Sequence, residues 1–140
     1  MIPSIQTRNK LSLPFMQDRV PAGFPSPAAD SMEGVVDLNE HLVHHPAATF
    51  IVRVSGDSMS GAGILDGDLA LVDRALVPQH NDVVIAVLNG DITLKRLHTA
   101  GKRIMLKPEN PKYPPILLCD DSELVIWGVV SSIIRQLKGN

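Results

Sequence analysis

A serine beside a glycine turn is the first residue that could do chemistry. Ser58 lies in the run SGDSM at residues 55–59, directly after residues 50–54, whose alternating apolar pattern predicts a strand. A serine at such a junction can present Oγ outward while nearby backbone N–H groups bind an oxyanion. Serine and glycine are also ordinary turn formers. The run therefore indicates a nucleophile only if the chain also supplies a base.

Histidine is the usual base for a serine nucleophile, and the histidines here show no recognisable Ser-His-Asp arrangement. The chain has five of them: His41, His44, His45, His80 and His98. The first three have a helical spacing that also occurs in metal sites, but no cysteine or carboxylate is spaced to complete one. We therefore expect solvated histidines, with no metal and no cofactor.

Lys95 is the other candidate base. Asn89-Gly90 between two apolar runs predicts a two-residue hairpin turn, because both turn positions need positive φ. This register sets Lys95 opposite Val84, on an aliphatic face that it shares with Thr93. A free lysine has a pKa of about 10.4, and full burial lowers it by roughly 3–5 units. Burial could therefore supply the neutral amine that a general base requires.

Two features compete with this interpretation of Lys95. A lysine at a sheet edge can extend its ammonium group to water and stay charged. A carboxylate close to the ammonium group would raise the lysine pKa and oppose the mechanism. The hypothesis of a lysine base therefore requires that Asp57 and Asp91 both point to solvent.

Short strands separated by turn signals make up most of the chain. Strands are predicted over residues 50–54, 69–72, 83–88, 91–97, 103–106, 116–118 and 125–134. One short helix is predicted between residues 30 and 46, with capping-box patterns at Asp37–Glu40 and Asp30–Glu33. We therefore expect a mainly β fold in a single compact domain with one short N-terminal helix.

The first thirty residues differ from the rest in composition. They hold five of the chain's eleven prolines, which exclude a long helix or a central strand. We expect an extended N-terminal arm over residues 1–30 and a folded domain over residues 31–140. Within the arm, Ala22-Gly23 is the least bulky peptide bond, and prolines on both sides favour extended backbone. A protease cleft binds extended chain, although the same composition suits an ordinary linker.

Composition excludes several classes of protein. The chain has 140 residues and a formal net charge of −2, so no basic excess is present to neutralise nucleic-acid phosphates. Cys119, the single cysteine, cannot close an intrachain disulfide, and we expect it to be a small buried side chain. The longest apolar run, residues 83–88, is shorter than the ~20 residues that span a bilayer, and no secretory signal is expected.

Taken together, these motifs resemble the LexA/UmuD family of Ser-Lys self-cleaving SOS-response proteins, of peptidase S24 type. The resemblance rests on SGDSM at 55–59, DGD at 66–68 and TLKRL at 93–97, with Ala22-Gly23 upstream. GFPSPAAD at 23–30 and DLN at 37–39 are similar to the UmuD branch and its plasmid-borne members. The resemblance covers nearly the whole chain from about residue 20, and SGDSM with a lysine 37 residues after its second serine is specific as a pair.

The resemblance implies a role for each candidate site residue. Ser58 would be the nucleophile and Lys95 the neutral general base. Backbone amides near Asp57 and Ser58 would form the oxyanion hole, and Ala22-Gly23 would be the scissile bond of a cleavable arm. Cleavage would occur within one chain or between the subunits of a homodimer, and a RecA filament on single-stranded DNA would stimulate it.

The resemblance also implies a place in SOS mutagenesis. The shortened form, residues 23–140, would act in the cytoplasm as the accessory subunit of a UmuC-type Y-family translesion polymerase. No sequence-specific DNA binding is expected, since the residues before the cleavage site are too few for a helix-turn-helix domain. No membrane partner is expected, since no apolar run is long enough for a membrane anchor. Two alternatives remain: a non-catalytic polymerase-binding module with a vestigial dyad, and a Ser-Lys peptidase that acts on other proteins.

Overall fold

The computed structural model describes residues 11–16, 19–20, 32–119 and 122–139. The chain divides into two units, Met1–His44 and His45–Asn140. In the first unit, β1 (Ser12–Met16) pairs antiparallel with β2 (Met32–Asp37). Pro14 can lie in this ribbon because, among the described residues, each of the two strands pairs along one edge alone.

A short helix, α1 (Leu38–Leu42), follows the ribbon. The side chain of Asp37 caps it by accepting a hydrogen bond from the backbone N–H of Asn39 at 3.0 Å, so the predicted Asp37 cap is confirmed. The second capping prediction, at Asp30–Glu33, is wrong. Glu33 lies in β2, at a shift in the register with β1, because pairing between strands outweighed the local helix signal. Asp30 lies outside the described residues.

The second unit is built on seven antiparallel strands. They are β3 (Thr49–Arg53), β4 (Leu69–Asp73), β5 (Val83–Leu88), β6 (Asp91–Ala100), β7 (Arg103–Lys107), β8 (Ile116–Leu117) and β9 (Leu124–Ile134). Their order in the sheet is β3-β4-β9-β5-β6-β7-β8, and short 3₁₀ turns cover Pro46–Ala48 and Ser60–Ala62. The prediction of a mainly β fold is confirmed.

The hairpin between β5 and β6 has the predicted register. Val84 pairs with Lys95 and Ala86 pairs with Thr93. The turn residues Asn89 and Gly90 have φ angles of 50° and 88°, as a two-residue turn of this hand requires. The side chains of Thr93 and Lys95 therefore leave β6 on the same face.

Two apolar clusters hold the sheet and its loops. The first contains Val54, Met59, Ile64, Ala70, Val72 and Ile85, and the second contains Val84, Ala86, Leu97, Leu106 and Val129. Met59 is 2% exposed and Leu97 is 4% exposed. Burial of Met59 anchors the loop that carries Ser58, while burial of Leu97 anchors β6 two residues beyond Lys95.

The single cysteine does not take the predicted position. Cys119 is exposed, in the segment between β8 and β9. The backbone N–H of Cys119 donates a hydrogen bond to Ser122 Oγ at 3.0 Å. Cys119 is therefore a surface residue, in contrast to the buried position expected for a small apolar side chain.

Candidate active site

The loop that carries Ser58 is held at the end of β3 by hydrogen bonds to the turn before β4. Gly67 N–H donates to the Val54 carbonyl at 2.8 Å, and Val54 N–H donates to the Asp68 carbonyl at 2.8 Å. Gly56 has a φ of 88°, and its N–H donates to Asp66 Oδ1 at 2.8 Å. A glycine is favoured there because other residues rarely adopt this φ. The turn brings Ser58 out of the strand direction and over the neighbouring cleft.

The structure brings the two predicted site residues together. Lys95 Nζ lies 3.1 Å from Ser58 Oγ, within hydrogen-bond distance. Lys95 Nζ also donates to Thr93 Oγ1 at 2.7 Å and to the Leu94 carbonyl at 3.1 Å. Both residues line a cleft of about 230 Å³ that is otherwise walled mainly by aliphatic side chains, among them Val52, Ile85 and Ile92.

The environment of Lys95 favours its neutral form. The side chain is half-buried, and this desolvation lowers the pKa of the Lys95 amine below its ordinary 10.5. A neutral amine has two N–H donors and one lone pair. Thr93 Oγ1 and the Leu94 carbonyl can take the two donors, which leaves the lone pair to accept the Ser58 hydroxyl proton.

The neighbouring carboxylates are directed away from the amine. Asp57 Oδ1 accepts a hydrogen bond from Tyr113 Oη at 2.5 Å, and Asp57 Oδ2 lies 4.0 Å from Lys112 Nζ. Asp91 is exposed at the hairpin turn. Both carboxylates therefore point away from Lys95, as the hypothesis of a lysine base requires.

The backbone around Ser58 has its carbonyl groups occupied. The Asp57 carbonyl accepts from Asn110 Nδ2 at 2.8 Å, and the Ser58 carbonyl accepts from Glu109 N–H at 2.8 Å. Within the described part of the chain, no acceptor takes the N–H of Asp57 or of Ser58. These two donors are therefore available to a ligand at the end of the cleft that holds Ser58.

Comparison of the sequence with known proteins identifies the family of the chain. A profile described as Peptidase S24-like matches residues 14–131. The chain belongs to the peptidase S24-like family. It is 47% identical over 125 residues to protein SamA of Salmonella typhimurium, covering 89% of this chain and 86% of SamA. It is 43% identical over 121 residues to protein MucA of Escherichia coli, covering 86% of this chain and 82% of MucA.

A LexA repressor is among the relatives as well. The repressor of Bordetella avium is 38% identical over 133 residues, which is 95% of this chain but 62% of the repressor. The resemblance to the LexA/UmuD family is thus confirmed. Membership of the peptidase S24-like family also confirms the assignment to the self-cleaving serine peptidases of the SOS response.

Sequence reasoning missed the segment that follows β7 in this peptidase S24-like chain. Glu109, Asn110 and Tyr113 all bond to the loop at residues 57–61. The available signal was the proline-rich run PENPKYPP at residues 108–115, which indicates an ordered loop between strands. Nothing in that run specified which loop it would meet, because the contact spans about fifty positions of sequence.

Other predicted residues take no part in the cleft. His45 Nδ1 lies 2.7 Å from Asp73 Oδ2, and the ring nitrogen Nε2 of His44 lies 3.1 Å from the His41 carbonyl. Ala22 and Gly23 lie outside the described residues. In the described ranges of the chain, no helix is both long enough and apolar enough to cross a membrane.

Proposed function

We propose that this peptidase S24-like chain cleaves itself at Ala22-Gly23, with Ser58 as nucleophile and Lys95 as general base. The contact between Lys95 Nζ and Ser58 Oγ, at 3.1 Å in a desolvated cleft, carries the proposal. A serine hydroxyl is a weak nucleophile until a nearby base takes its proton. A half-buried lysine with a lowered pKa supplies that base without a histidine.

The reaction proceeds in two steps through an acyl-enzyme. Neutral Lys95 takes the Ser58 proton as Oγ attacks the carbonyl carbon of Ala22, and the N–H groups of Asp57 and Ser58 bind the resulting oxyanion. The C–N bond then breaks, and the amine of Gly23 leaves with the proton from Lys95. Water, deprotonated by Lys95, next attacks the Ser58 ester, which releases the Ala22 carboxylate and restores the hydroxyl.

Self-cleavage suits this arrangement because the substrate is part of the same molecule. A tethered segment is present at high effective concentration, so modest affinity for the cleft is sufficient. The division into a cleavable arm at residues 1–30 and a peptidase domain at residues 31–140 belongs to the same proposal. Cleavage after residue 22 would leave β1 on the released piece and β2 on the remaining chain.

The cellular role that the family supports is SOS mutagenesis. We propose that a RecA filament on single-stranded DNA stimulates cleavage, and that residues 23–140 then serve a UmuC-type Y-family translesion polymerase in the cytoplasm. The similarity to SamA and MucA over more than 80% of each chain supports this role. Val125 and Trp127, two exposed apolar side chains in β9, favour a homodimer contact.

The test is the intact mass of the chain after incubation across a range of pH, with and without RecA, single-stranded DNA and nucleotide. Wild type should yield a species beginning at Gly23, and Ser58→Ala and Lys95→Ala should not. Below the pKa of Lys95 the rate should rise about tenfold per pH unit, because only the neutral amine is a base, and it should level off above that pKa.

The other outcomes separate the alternatives. An unchanged mass under every condition would contradict self-cleavage and favour a polymerase-binding module with a vestigial dyad. Turnover of an added peptide without self-cleavage would favour a peptidase that acts on other proteins. Cleavage that survives in Ser58→Ala would exclude Ser58 as the nucleophile.

A further inference from the structure

The segment after β7 holds the loop that carries Ser58 by three hydrogen bonds that involve the backbone of that loop. Glu109 N–H donates to the Ser58 carbonyl at 2.8 Å, and Gly61 N–H donates to the Glu109 carbonyl at 2.7 Å. Asn110 Nδ2 donates to the Asp57 carbonyl at 2.8 Å. Of the three, the bond from Asn110 is the one made by a side chain, so substitution can remove it without altering the backbone.

The Asp57 carbonyl and the Ser58 N–H belong to one peptide group. That group is planar and trans, so its carbonyl and N–H point in opposite directions. A hydrogen bond that fixes the carbonyl therefore also fixes the direction of the N–H. It also polarises the peptide group, which strengthens the N–H as a donor.

The two ends of the Asn110 amide have distinct partners. Its Oδ1 accepts from Lys112 N–H at 3.0 Å, and its Nδ2 faces the Asp57 carbonyl, with Ser60 Oγ at 3.4 Å. A backbone donor at one end and a backbone acceptor at the other assign the amide orientation. Asn110 is also part-buried, which restricts competition from water for the bond to Asp57.

We propose that Asn110 is a positioning residue, which aims the Ser58 N–H at the oxyanion formed during cleavage. The inference rests on the proposed function, since it concerns the same site. Removing an oxyanion donor outright slows a serine peptidase about 10²–10³-fold. Loss of Asn110 leaves the Ser58 N–H in place but free to turn, so we expect a slowing of about ten- to a hundredfold.

The test compares self-cleavage rates of full-length variants over a pH range. Asn110→Ser keeps a short oxygen that can accept from Lys112 N–H, but its side chain is too short to reach Asp57. Asn110→Ala loses both contacts. Lys102→Ala is the matched control, since it removes an exposed lysine side chain in the turn between β6 and β7 that makes none of the bonds to residues 57–61 described above. Each rate is measured below the melting transition of its variant.

The expected result is a lower plateau rate at high pH for Asn110→Ser and Asn110→Ala, with the apparent pKa of the profile unchanged. Lys102→Ala should retain the wild-type plateau. A variant that merely displaced Lys95 would shift the apparent pKa, which distinguishes positioning of the donor from loosening of the site.

Three results would overturn the inference while leaving self-cleavage intact. These are a wild-type plateau in Asn110→Ser, a shifted apparent pKa at an unchanged plateau, and an equal loss in Lys102→Ala. Failure of the wild-type chain to cleave at any pH would instead refute the proposed function, and the inference with it.

Discussion

Replacing Gly61 with alanine should weaken both folding and cleavage, because Glu109 leaves no room for a methyl group. A Cβ on Gly61 would lie 2.5 Å from the Glu109 carbonyl oxygen and 3.3 Å from its carbonyl carbon. Both are backbone atoms, so rotation of a side chain cannot relieve the overlap. Gly61 N–H donates to the same oxygen at 2.7 Å, and a shift that admits Cβ also weakens that hydrogen bond.

The sign of the effect of Gly61→Ala on stability depends on two opposing contributions. A glycine-to-alanine change at a permitted backbone conformation stabilises by about 0.4–1 kcal/mol, because it restricts the unfolded chain. Overpacking destabilises by about 1–3 kcal/mol, and a weakened hydrogen bond by about 0.5–1.5 kcal/mol. The overlap is the larger contribution, so we expect the free energy of unfolding to fall by about 1–3 kcal/mol.

Cleavage should slow by more than the loss of folded molecules explains. The Ser58 carbonyl accepts from Glu109 N–H, so displacing Glu109 from Gly61 also displaces the nucleophile from Lys95. A misplacement of about 1 Å can cost about a hundredfold in rate. We expect at least a tenfold slowing per folded molecule.

Urea unfolding followed by the fluorescence of Trp127, together with intact-mass cleavage rates, measures both effects. Gly128→Ala is the matched control, because its added Cβ would lie 2.7 Å from Val72 Cγ1, and the next two nearest atoms belong to Asp73 and Arg74, outside residues 57–61. It should destabilise the fold yet cleave within about twofold of wild type. A wild-type midpoint and rate for Gly61→Ala would refute the reasoning, as would equal slowing in Gly128→Ala.

Contacts outside the cleft make three further predictions. Tyr113, the single tyrosine, should ionise above its ordinary pKa of 10.0 because it donates to Asp57, and Asp57→Asn should return its ultraviolet titration toward the ordinary value. The hydrogen bond from Arg135 helps lower the pKa of Asp68 from 3.8 to about 2, so the stability that ionised Asp68 contributes should be lost as the pH falls between these values. Asp68→Asn should make the urea midpoint less dependent on pH in this range. Cleavage after residue 22 should speed amide hydrogen exchange in Met32–Asp37, because β2 loses its partner β1 and a lone strand is unprotected. Unchanged exchange would contradict the pairing of β1 with β2.

Local rules were sufficient to predict the face of Lys95. The Asn89-Gly90 turn fixes the register of its two strands, and strand alternation then determines which side chains accompany Lys95. Neither step requires knowledge of a residue distant in sequence. The strand that precedes Ser58 was likewise predicted from its own alternation.

Contacts between distant segments were not predictable in this way. Asp30–Glu33 has the spacing of a capping box, but pairing with β1 makes residues 32–37 a strand. Asn110 lies 53 residues from Asp57, and no periodicity links the two. Proximity of Ser58 to Lys95, 37 residues apart, came from the family resemblance and was outside what the residue patterns could establish.

The basicity of Lys95 depends on the orientation of the nearby carboxylate of Asp57 as well as on the hydrogen bonds of the amine. Three oxygens surround Nζ, and they could hold an ammonium group as well as an amine. The contacts alone therefore do not select the protonation state. Desolvation shifts the balance toward the neutral form by lowering the pKa of the Lys95 amine, and no ion pair with Lys95 opposes this shift in the described part of the chain. Asp57, one residue from the nucleophile, would reverse that preference if it turned toward the amine. The hydrogen bond from Tyr113 that holds Asp57 outside the cleft therefore preserves the basicity that cleavage requires.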